Sequence, residues 1–456
     1  KLAQVQQHFS ILSFINFFNF FLKCNHVHYI FGETMSSRNF SFFADIPFSI
    51  IREISETVAQ INRQTKNEQN KVIDLSLGQN FLGDPSIIFE KVKFLNKKDG
   101  VKPILYEPSL GPIDTRRSIA ENFYPYFYSD VKGVLDEENI MITDGAFGAV
   151  RNALGAIFRP GDIFVIDRIT FRYFVHALVV LGRMYPNIHP YIIQSEANTG
   201  FVPSPDKTIE FLEELRLRYP TKNIVYYTQF GFNPTGCFRT SKDLKEIVSY
   251  IENEKNLFLI NDIAYHLVRW SGKDTPLASA LADEGNGIVD AESLSKPFGL
   301  MGARVGALIT RDKELFKYAA RIQQYTIVSP TKLAVDVWRI ISDPDNLPEI
   351  EKHIKNTIEK IRENFHYFVK EAEKFELKTC NNVIGTIYAF LEVPYEASRF
   401  WKVLLEKAKV AVVPGTAFTD PRDKIGEKYV RITISVKKEM LEKSIQRIEN
   451  FFRKEL

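Results

Sequence analysis

The sequence predicts an α/β fold, with a large domain whose mostly parallel sheet is flanked by helices and a smaller α+β domain. Three observations support this. Short apolar strands alternate with helices of 10–15 residues between positions 139 and 310. Small and polar motifs follow several of these strands, where parallel sheets place their ligand sites. After Pro330 a long charged helical stretch precedes further strand-like segments, which indicates a second unit.

The periodicity predicts the elements in order. An amphipathic helix is expected over 50–61, because Ile51, Ile54 and Val58 recur at helical spacing, and a short strand over 72–77. Further strands are predicted over 139–143, 163–167, 223–228, 257–261, 287–291 and 304–310. Helices are predicted over 147–158, 210–219 and 241–254.

The second unit is predicted from both ends of the chain. We expect helices over 347–375 and 398–409 and strands over 382–393 and 429–436. The predicted division gives a large domain over 88–329. Residues 35–87 and 330–456 would form the small domain.

Residues 1–34 differ from the rest and are expected to be a leader or upstream extension outside the fold. They hold seven Phe but three charged side chains, and Met35 is the first methionine. Their apolar run over 9–22 is shorter than the ~20 residues that a membrane-spanning helix needs. A targeting segment or membrane anchor is the alternative, and the sequence predicts no membrane partner otherwise.

Composition excludes several classes of protein. Basic and acidic residues number 59 and 56, a formal charge of +3 that gives no indication of a nucleic-acid partner. Cys24, Cys237 and Cys380 lie far apart, without zinc spacing or a disulfide framework. The sequence therefore predicts no metal site, and a reducing, cytoplasmic location is expected.

The segment from Ser293 to Gly306 carries the sharpest motif. A predicted strand delivers Lys296 into a loop with small hydroxyl neighbours and three glycines, and Arg304 follows eight residues later. The spacing does not match the dinucleotide fingerprint G-x-G-x-x-G. The alternative is an ordinary strand–loop–strand connection with a solvated lysine.

Two other strand ends carry polar side chains. Asn233, held between Phe232 and Pro234, can aim its amide at a ligand, although Asn-Pro is also common turn chemistry. Asp262 follows an apolar strand and is expected to be partly buried, so it needs a partner, preferably a cation. A helix N-cap is the alternative for Asp262.

Two more segments suit anions. Gly145 and Ala146 form a turn between a strand and a helix, where backbone N–H groups and the helix dipole favour phosphate. Any βα turn shares this pattern. Arg431 lies inside an apolar strand, where its planar fork suits a carboxylate unless it points to water from an edge strand.

Taken in order, these motifs resemble the fold-type I pyridoxal-phosphate-dependent enzymes, specifically the class I/II aminotransferase family, from about Gly78 to Ser435. The resemblance implies an aminotransferase that moves an amino group between an α-amino acid and a 2-oxo acid. The reaction would be a ping-pong cycle in which pyridoxal 5'-phosphate and its pyridoxamine form alternate.

The resemblance also implies roles around the cofactor ring. Lys296 would bind pyridoxal phosphate covalently and move the substrate proton. Asp262 would pair with the ring nitrogen, and Asn233 and Tyr265 would hydrogen-bond the ring's phenolic oxygen. Phe171 would stack on the ring, although the family usually has Tyr or Trp there and Pro two positions earlier.

The remaining roles concern the phosphate and the substrate. The residues that would hold the phosphate are Gly145, Ala146, Ser293 and Arg304. Tyr106 would reach the phosphate of a neighbouring subunit, which implies a homodimer. Arg431 would bind the substrate α-carboxylate, beside Gly78 and Asn233.

Two alternatives remain at this point. The same scaffold also supports a pyridoxal-phosphate-dependent lyase or an enzyme similar to aminocyclopropane-carboxylate synthase. A non-catalytic effector-binding domain is the other, although few charged residues precede Met35. The particular amino acid and oxo acid are not indicated by the sequence.

Overall fold

A computed structural model describes residues 49–92, 104–129, 131–184, 189–271, 274–380 and 382–455. The predicted leader over 1–34 and Met35 lie outside these residues. Within the part of the chain that is described, no helix is both long and apolar enough to cross a membrane.

A seven-stranded sheet forms the centre of the molecule. Its strands are β2 (Ile140–Thr143), β3 (Ile163–Asp167), β4 (Tyr191–Ile193), β5 (Ile224–Gln229), β6 (Leu257–Asp262), β7 (Ile288–Ser293) and β8 (Gly306–Ile309). Their spatial order is β2-β8-β7-β6-β5-β3-β4. Strand β8 pairs antiparallel with both neighbours and the other pairings are parallel, which confirms the predicted α/β class.

Both faces of this sheet are covered by apolar layers. Along β5, Ile224 and Tyr226 belong to one buried cluster, whereas Val225 and Tyr227 belong to another. Successive side chains of a strand point to opposite faces, so the alternation shows that each face packs against its own layer. The near-continuous apolar strands of the sequence have this physical cause.

The helices that flank the sheets have the following bounds. They are α1 (Ile50–Gln64), α2 (Ser86–Phe89), α3 (Ile113–Ser118), α4 (Tyr124–Phe127), α5 (Ala146–Ile157), α6 (Tyr173–Val180), α7 (Pro205–Arg218), α8 (Ser241–Glu252), α9 (Ala278–Leu281), α10 (Ser295–Phe298), α11 (Lys313–Thr326), α12 (Lys332–Ile341), α13 (Leu347–Ala372), α14 (Ala397–Val403) and α15 (Lys438–Glu455).

A second sheet lies in the C-terminal part of the chain. It contains β9 (Lys378–Thr379), β10 (Tyr388–Glu392), β12 (Val413–Pro414) and β13 (Tyr429–Thr433), in the order β12-β13-β10-β9 with antiparallel pairing. The short strand β1 (Ile73–Asp74) pairs in parallel with β11 (Val410–Ala411), so early and late segments of the chain meet. The domain boundaries themselves stay a prediction.

Several elements differ from their predicted bounds. Helix α7 begins at Pro205 rather than 210, because Ser204 caps it by accepting a hydrogen bond from the Lys207 N–H and proline suits the first turn. Strand β10 is shorter than the predicted 382–393. The sequence analysis did not identify the helices α6, α11, α12 and α15.

Candidate active site

One edge of the central sheet contains the carboxyl ends of β2, β5, β6 and β7 and the amino end of β8. Gln229 of β5 lies opposite Asp262 of β6, and Asp262 lies opposite Ala291 of β7, two residues before Ser293. Thr143 and Ser293 both lie opposite Gly306 of β8. The topology therefore brings the predicted motifs of the large unit to one edge, as parallel strands require.

Lys296 lies in the short helix α10, directly after β7. Its Nζ donates a 2.6 Å hydrogen bond to the Gly78 carbonyl oxygen and lies 6.0 Å from the centre of the Tyr265 ring. Loss of hydration lowers the pKa of Lys296 to about 7, and the positive charges of Arg431 and Arg304 add to this effect. A large share of this amine is therefore neutral near neutral pH, unlike an exposed lysine.

Asp262 is buried at the end of β6. Its carboxylate accepts hydrogen bonds from the Tyr227 hydroxyl (2.8 Å) and from the Ala264 N–H (3.0 Å). Burial raises the pKa of Asp262 to about 6, and these hydrogen bonds and the charge of Lys296 oppose the rise. Asp262 thus accepts a hydrogen bond from a turn and not from a helix, unlike the N-cap alternative, and it is a buried carboxylate that interacts with a lysine.

Arg431 crosses from the second sheet toward this edge. Strand β13 lies between β12 and β10, so Arg431 is on an inner strand and is 1% exposed, which excludes the edge-strand alternative. Its Nη1 donates to Asn233 Oδ1 (3.1 Å) and its Nη2 to the Ser76 carbonyl oxygen (2.7 Å), while Nε has no partner. The guanidinium carbon lies 4.2 Å from the centre of the Tyr388 ring.

Tyr265 and Gly78 meet the same tyrosine. The Tyr265 and Tyr388 hydroxyls lie 2.8 Å apart, and both rings are buried. A Cβ atom added to Gly78 would lie 2.5 Å from the Tyr388 hydroxyl oxygen. The absence of a side chain at Gly78 therefore keeps space open beside Lys296.

The predicted anion pocket lies at the N-terminus of α5. Gly145 precedes the helix with a φ of 83°, and a Cβ atom there would lie 3.0 Å from Nη2 of Arg304. Arg304 is exposed and donates from Nη2 to the Asp144 carbonyl oxygen (3.0 Å). Ala146 begins α5, so its turn supplies unpaired backbone N–H groups.

Ser293 completes this pocket from the neighbouring strand. Its Oγ donates a 2.9 Å hydrogen bond to Ser295 Oγ, one residue before Lys296. The Ser293 N–H donates to the Glu292 carboxylate, and burial raises the pKa of Glu292 to about 8. An exposed cation, two serine hydroxyl groups and a helix N-terminus thus all belong to this edge of the sheet.

Phe171 and Tyr106 occupy different surroundings. The Phe171 ring is half-buried and stacks on Tyr173, with 4.5 Å between ring centres, and its N–H points to Gln229 Oε1 at 3.5 Å. Gln229 also accepts from the Asn233 N–H (3.2 Å), so Phe171 lies at the same edge as the other site residues. Tyr106 is 88% exposed, and among the described residues no hydrogen bond or ring contact joins it to the others.

The sequence analysis missed three residues that shape this site. Tyr388 contacts both Arg431 and Tyr265, Tyr227 holds Asp262, and the Asn80 amide donates to the Lys296 carbonyl oxygen (2.7 Å). Tyr227 carried a usable signal, because it lies two positions before Gln229 on the same strand face. Within the described part of the chain, no group of three or more His, Cys, Asp or Glu could hold a metal ion.

The chain is similar to known proteins over most of its length. A profile of a family described as aminotransferase class I and II matches residues 70–448. An aspartate aminotransferase from Pyrococcus horikoshii is 25% identical over 88% of this chain and 94% of its own length. An LL-diaminopimelate aminotransferase from Natranaerobius thermophilus is 25% identical over 69% of this chain and 76% of its own.

Solved structures share the fold. An aspartate aminotransferase from Thermus thermophilus with maleate has a TM-score of 0.75 at 20% identity, over 91% of this chain and all of that one. The aspartate aminotransferase of Thermotoga maritima has a TM-score of 0.74 at 22% identity, again over 91% of this chain.

Proposed function

This chain belongs to the class I and II aminotransferases, and on that basis we propose that it binds pyridoxal 5'-phosphate at Lys296 and uses this cofactor to transfer amino groups. The enzyme transfers an amino group between an amino acid and a 2-oxo acid. One observation carries the cofactor proposal: the buried Lys296 amine lies at the Gly78 carbonyl oxygen, where the charges of Arg431, Arg304 and Asp262 all act on it and its pKa is lowered to about 7.

The chemistry of the surrounding groups fits this cofactor. A phosphate dianion suits Arg304, Ser293 and the first turn of α5, where Gly145 leaves room that a side chain would fill. A protonated ring nitrogen suits Asp262, since a buried carboxylate is stabilised by a cationic partner. Tyr265 and Asn233 offer polar groups for the phenolic oxygen, and Phe171 offers an aromatic face.

We propose these roles for the residues during amino transfer. When bound, the cofactor supplies an electron sink for the carbanion at the substrate Cα. Arg431 binds and orients the α-carboxylate, because its inward fork can make two parallel hydrogen bonds. Asp262 holds the proton on the ring nitrogen. The neutral Lys296 amine removes the Cα proton as a general base and then donates it as a general acid.

The reactivity of Lys296 should depend on pH with a midpoint near 7. Its pKa is lowered, so the reactive neutral amine dominates above pH 7 and is lost as pH falls, whereas an ordinary lysine is mostly neutral only above pH ~10. Acetic anhydride labelling of cofactor-free protein, read at the Lys296 peptide by mass spectrometry, measures this. Labelling in Asp262→Asn should have a lower midpoint, because the carboxylate favours the ammonium form. Labelling that rises only near pH 10 would contradict the assignment.

An amino donor supplied alone should release one 2-oxo acid per enzyme chain and no ammonia. The amino group then stays on the enzyme until an oxo acid removes it, so turnover stops without an acceptor. Measuring oxo acid and ammonia over a panel of amino donors tests this and also identifies the preferred donor.

The lyase alternative predicts a different result in that experiment, because a lyase releases ammonia together with the oxo acid. Continuous release of ammonia and oxo acid in equal amounts, without any acceptor, would overturn amino transfer as the main reaction. Buffer with free pyridoxal phosphate and no protein is the matched control, since the cofactor alone reacts slowly with amino acids.

We also propose a homodimer in which Tyr106 reaches the neighbouring subunit's phosphate site. Its support is the exposure of Tyr106 next to Leu105 and Ile104, since a run of exposed apolar side chains suits a surface that a second subunit covers. Sedimentation should give twice the chain mass of 52.6 kDa. A single-chain mass at micromolar concentration would contradict the proposal.

A cytoplasmic location is proposed as well. It is supported by Cys237 and Cys380, whose side chains are thiols and suit a reducing compartment. Cell fractionation tests it, and recovery in a membrane fraction would contradict it.

A further inference from the structure

The thiols of Cys237 and Cys380 lie next to the turn that carries Asn233, at the Thr235 carbonyl oxygen. Cys237 is 1% exposed and Cys380 is 7% exposed, and both side chains are thiols. Their sulfur atoms share one acceptor, the Thr235 carbonyl oxygen, at 3.9 and 3.3 Å, and each thiol shifts the pKa of the other. The amino-transfer chemistry described above does not use either thiol.

The two thiols belong to segments that are far apart in sequence and packed tightly together. The Cys237 carbonyl oxygen accepts from the Phe232 N–H (2.8 Å), which closes the turn around Asn233. The Gly236 carbonyl oxygen accepts from the N–H groups of Ile384 (3.0 Å) and Gly385 (3.2 Å). A bond between the sulfurs would therefore tie the turn of the central unit to the segment that enters β10.

The pKa values of the two thiols shift in opposite directions, so the thiols differ in reactivity. The interaction with Cys380 lowers the pKa of Cys237, whereas the interaction with Cys237 and burial raise the pKa of Cys380. Because the thiolate is the reactive form, Cys237 is the thiol that reacts first. Cys380 is then positioned to attack the oxidised sulfur.

We propose that Cys237 and Cys380 form a redox-modification site that hydrogen peroxide converts into an intramolecular disulfide. The Cys237 thiolate attacks one peroxide oxygen, the O–O bond breaks, and a sulfenic acid forms with loss of hydroxide, which takes up a proton as water. The Cys380 sulfur then attacks the Cys237 sulfur, the S–O bond breaks, and a second water leaves. In total two thiols lose two electrons and two protons, and one peroxide becomes two waters. Local opening of the turn admits the peroxide.

Oxidation would also affect the substrate site. A disulfide holds its sulfurs ~2.05 Å apart, which is closer than two thiols in contact, so we expect bond formation to shift the turn that carries Asn233. Asn233 lies in this turn and accepts the Arg431 Nη1 hydrogen bond at 3.1 Å. This step depends on the proposed function, and it predicts a KM for the amino donor that rises about tenfold, as expected for a lost contact of about 1.4 kcal/mol.

The test uses the full chain with Cys24→Ser, which removes the third thiol. After treatment with hydrogen peroxide the protein is denatured, its thiols are alkylated and its peptides are mapped by mass spectrometry. We expect a Cys237–Cys380 linked peptide that dithiothreitol abolishes, and none in Cys24→Ser/Cys380→Ser. Full alkylation of both thiols, separate sulfinic acids, or links between chains would overturn the proposal.

Kinetics on the same samples separate the two proposals. The oxidised Cys24→Ser enzyme should show the raised KM and the Cys380→Ser control should not. A linked peptide with unchanged KM would overturn the effect on the site. Absence of amino transfer before any oxidation would instead count against the proposed function and leave the disulfide result unaffected.

Discussion

Amino transfer should fall by about 10³-fold or more when Lys296 is replaced by alanine, because the variant loses both the covalent attachment and the proton carrier. The lowered pKa of Lys296, about 7, suits both tasks, and its amine feels the charges of both Asp262 and Arg431. Steady-state turnover with the preferred donor and acceptor measures the loss.

The matched control for this variant is Lys245→Ala, which removes an exposed lysine from helix α8. It should transfer amino groups at the unaltered rate. Far-UV circular dichroism and thermal unfolding of both variants show whether the fold persists. A folded Lys296→Ala protein with normal turnover would contradict the assigned mechanism.

Replacing Arg431 with lysine should lower kcat/KM for an α-amino acid by about 10²-fold, equivalent to about 2.7 kcal/mol. Lysine keeps the charge but cannot form the two-pronged contact with a carboxylate. It also cannot satisfy Asn233 and the Ser76 carbonyl oxygen together, as the guanidinium of Arg431 does. The expected loss applies to substrates that carry the carboxylate.

A comparison of substrates makes this prediction specific. The second substrate is the amine that has the same side chain as the amino acid but no carboxylate. For this amine, kcat/KM should be low and nearly equal in the unaltered enzyme and in Arg431→Lys. Arg447→Lys is the control, because Arg447 also donates to backbone carbonyl oxygens, of Lys71, Gln69 and Lys409, away from the site. An equal loss for both substrates would show that Arg431 supports structure and does not bind the carboxylate.

Much of the site's placement could be predicted from sequence because its motifs directly follow apolar strands. Asp262 is the clearest case: a buried parallel strand must end at the ligand edge, so the residue that ends it is placed by topology. Ser293 follows the same logic on β7. Such reasoning depends on one strand at a time and needs no knowledge of long-range pairing.

The contacts that cross between the two sheets could not be predicted in this way. Tyr388 lies in β10, more than a hundred residues from Tyr265, and no local pattern indicates that their hydroxyls meet. The sequence likewise left open whether Arg431 lies on an edge or an inner strand, because strand order depends on pairing rather than on periodicity. The Cys237–Cys380 contact has the same origin.

The most direct test of the account is to locate the cofactor on the chain. Protein incubated with pyridoxal phosphate is reduced with borohydride, digested, and mapped by mass spectrometry. The account predicts one cofactor per chain, attached to the Lys296 peptide and absent from Lys296→Ala. Attachment at another lysine, or no attachment in protein that transfers amino groups, would contradict it.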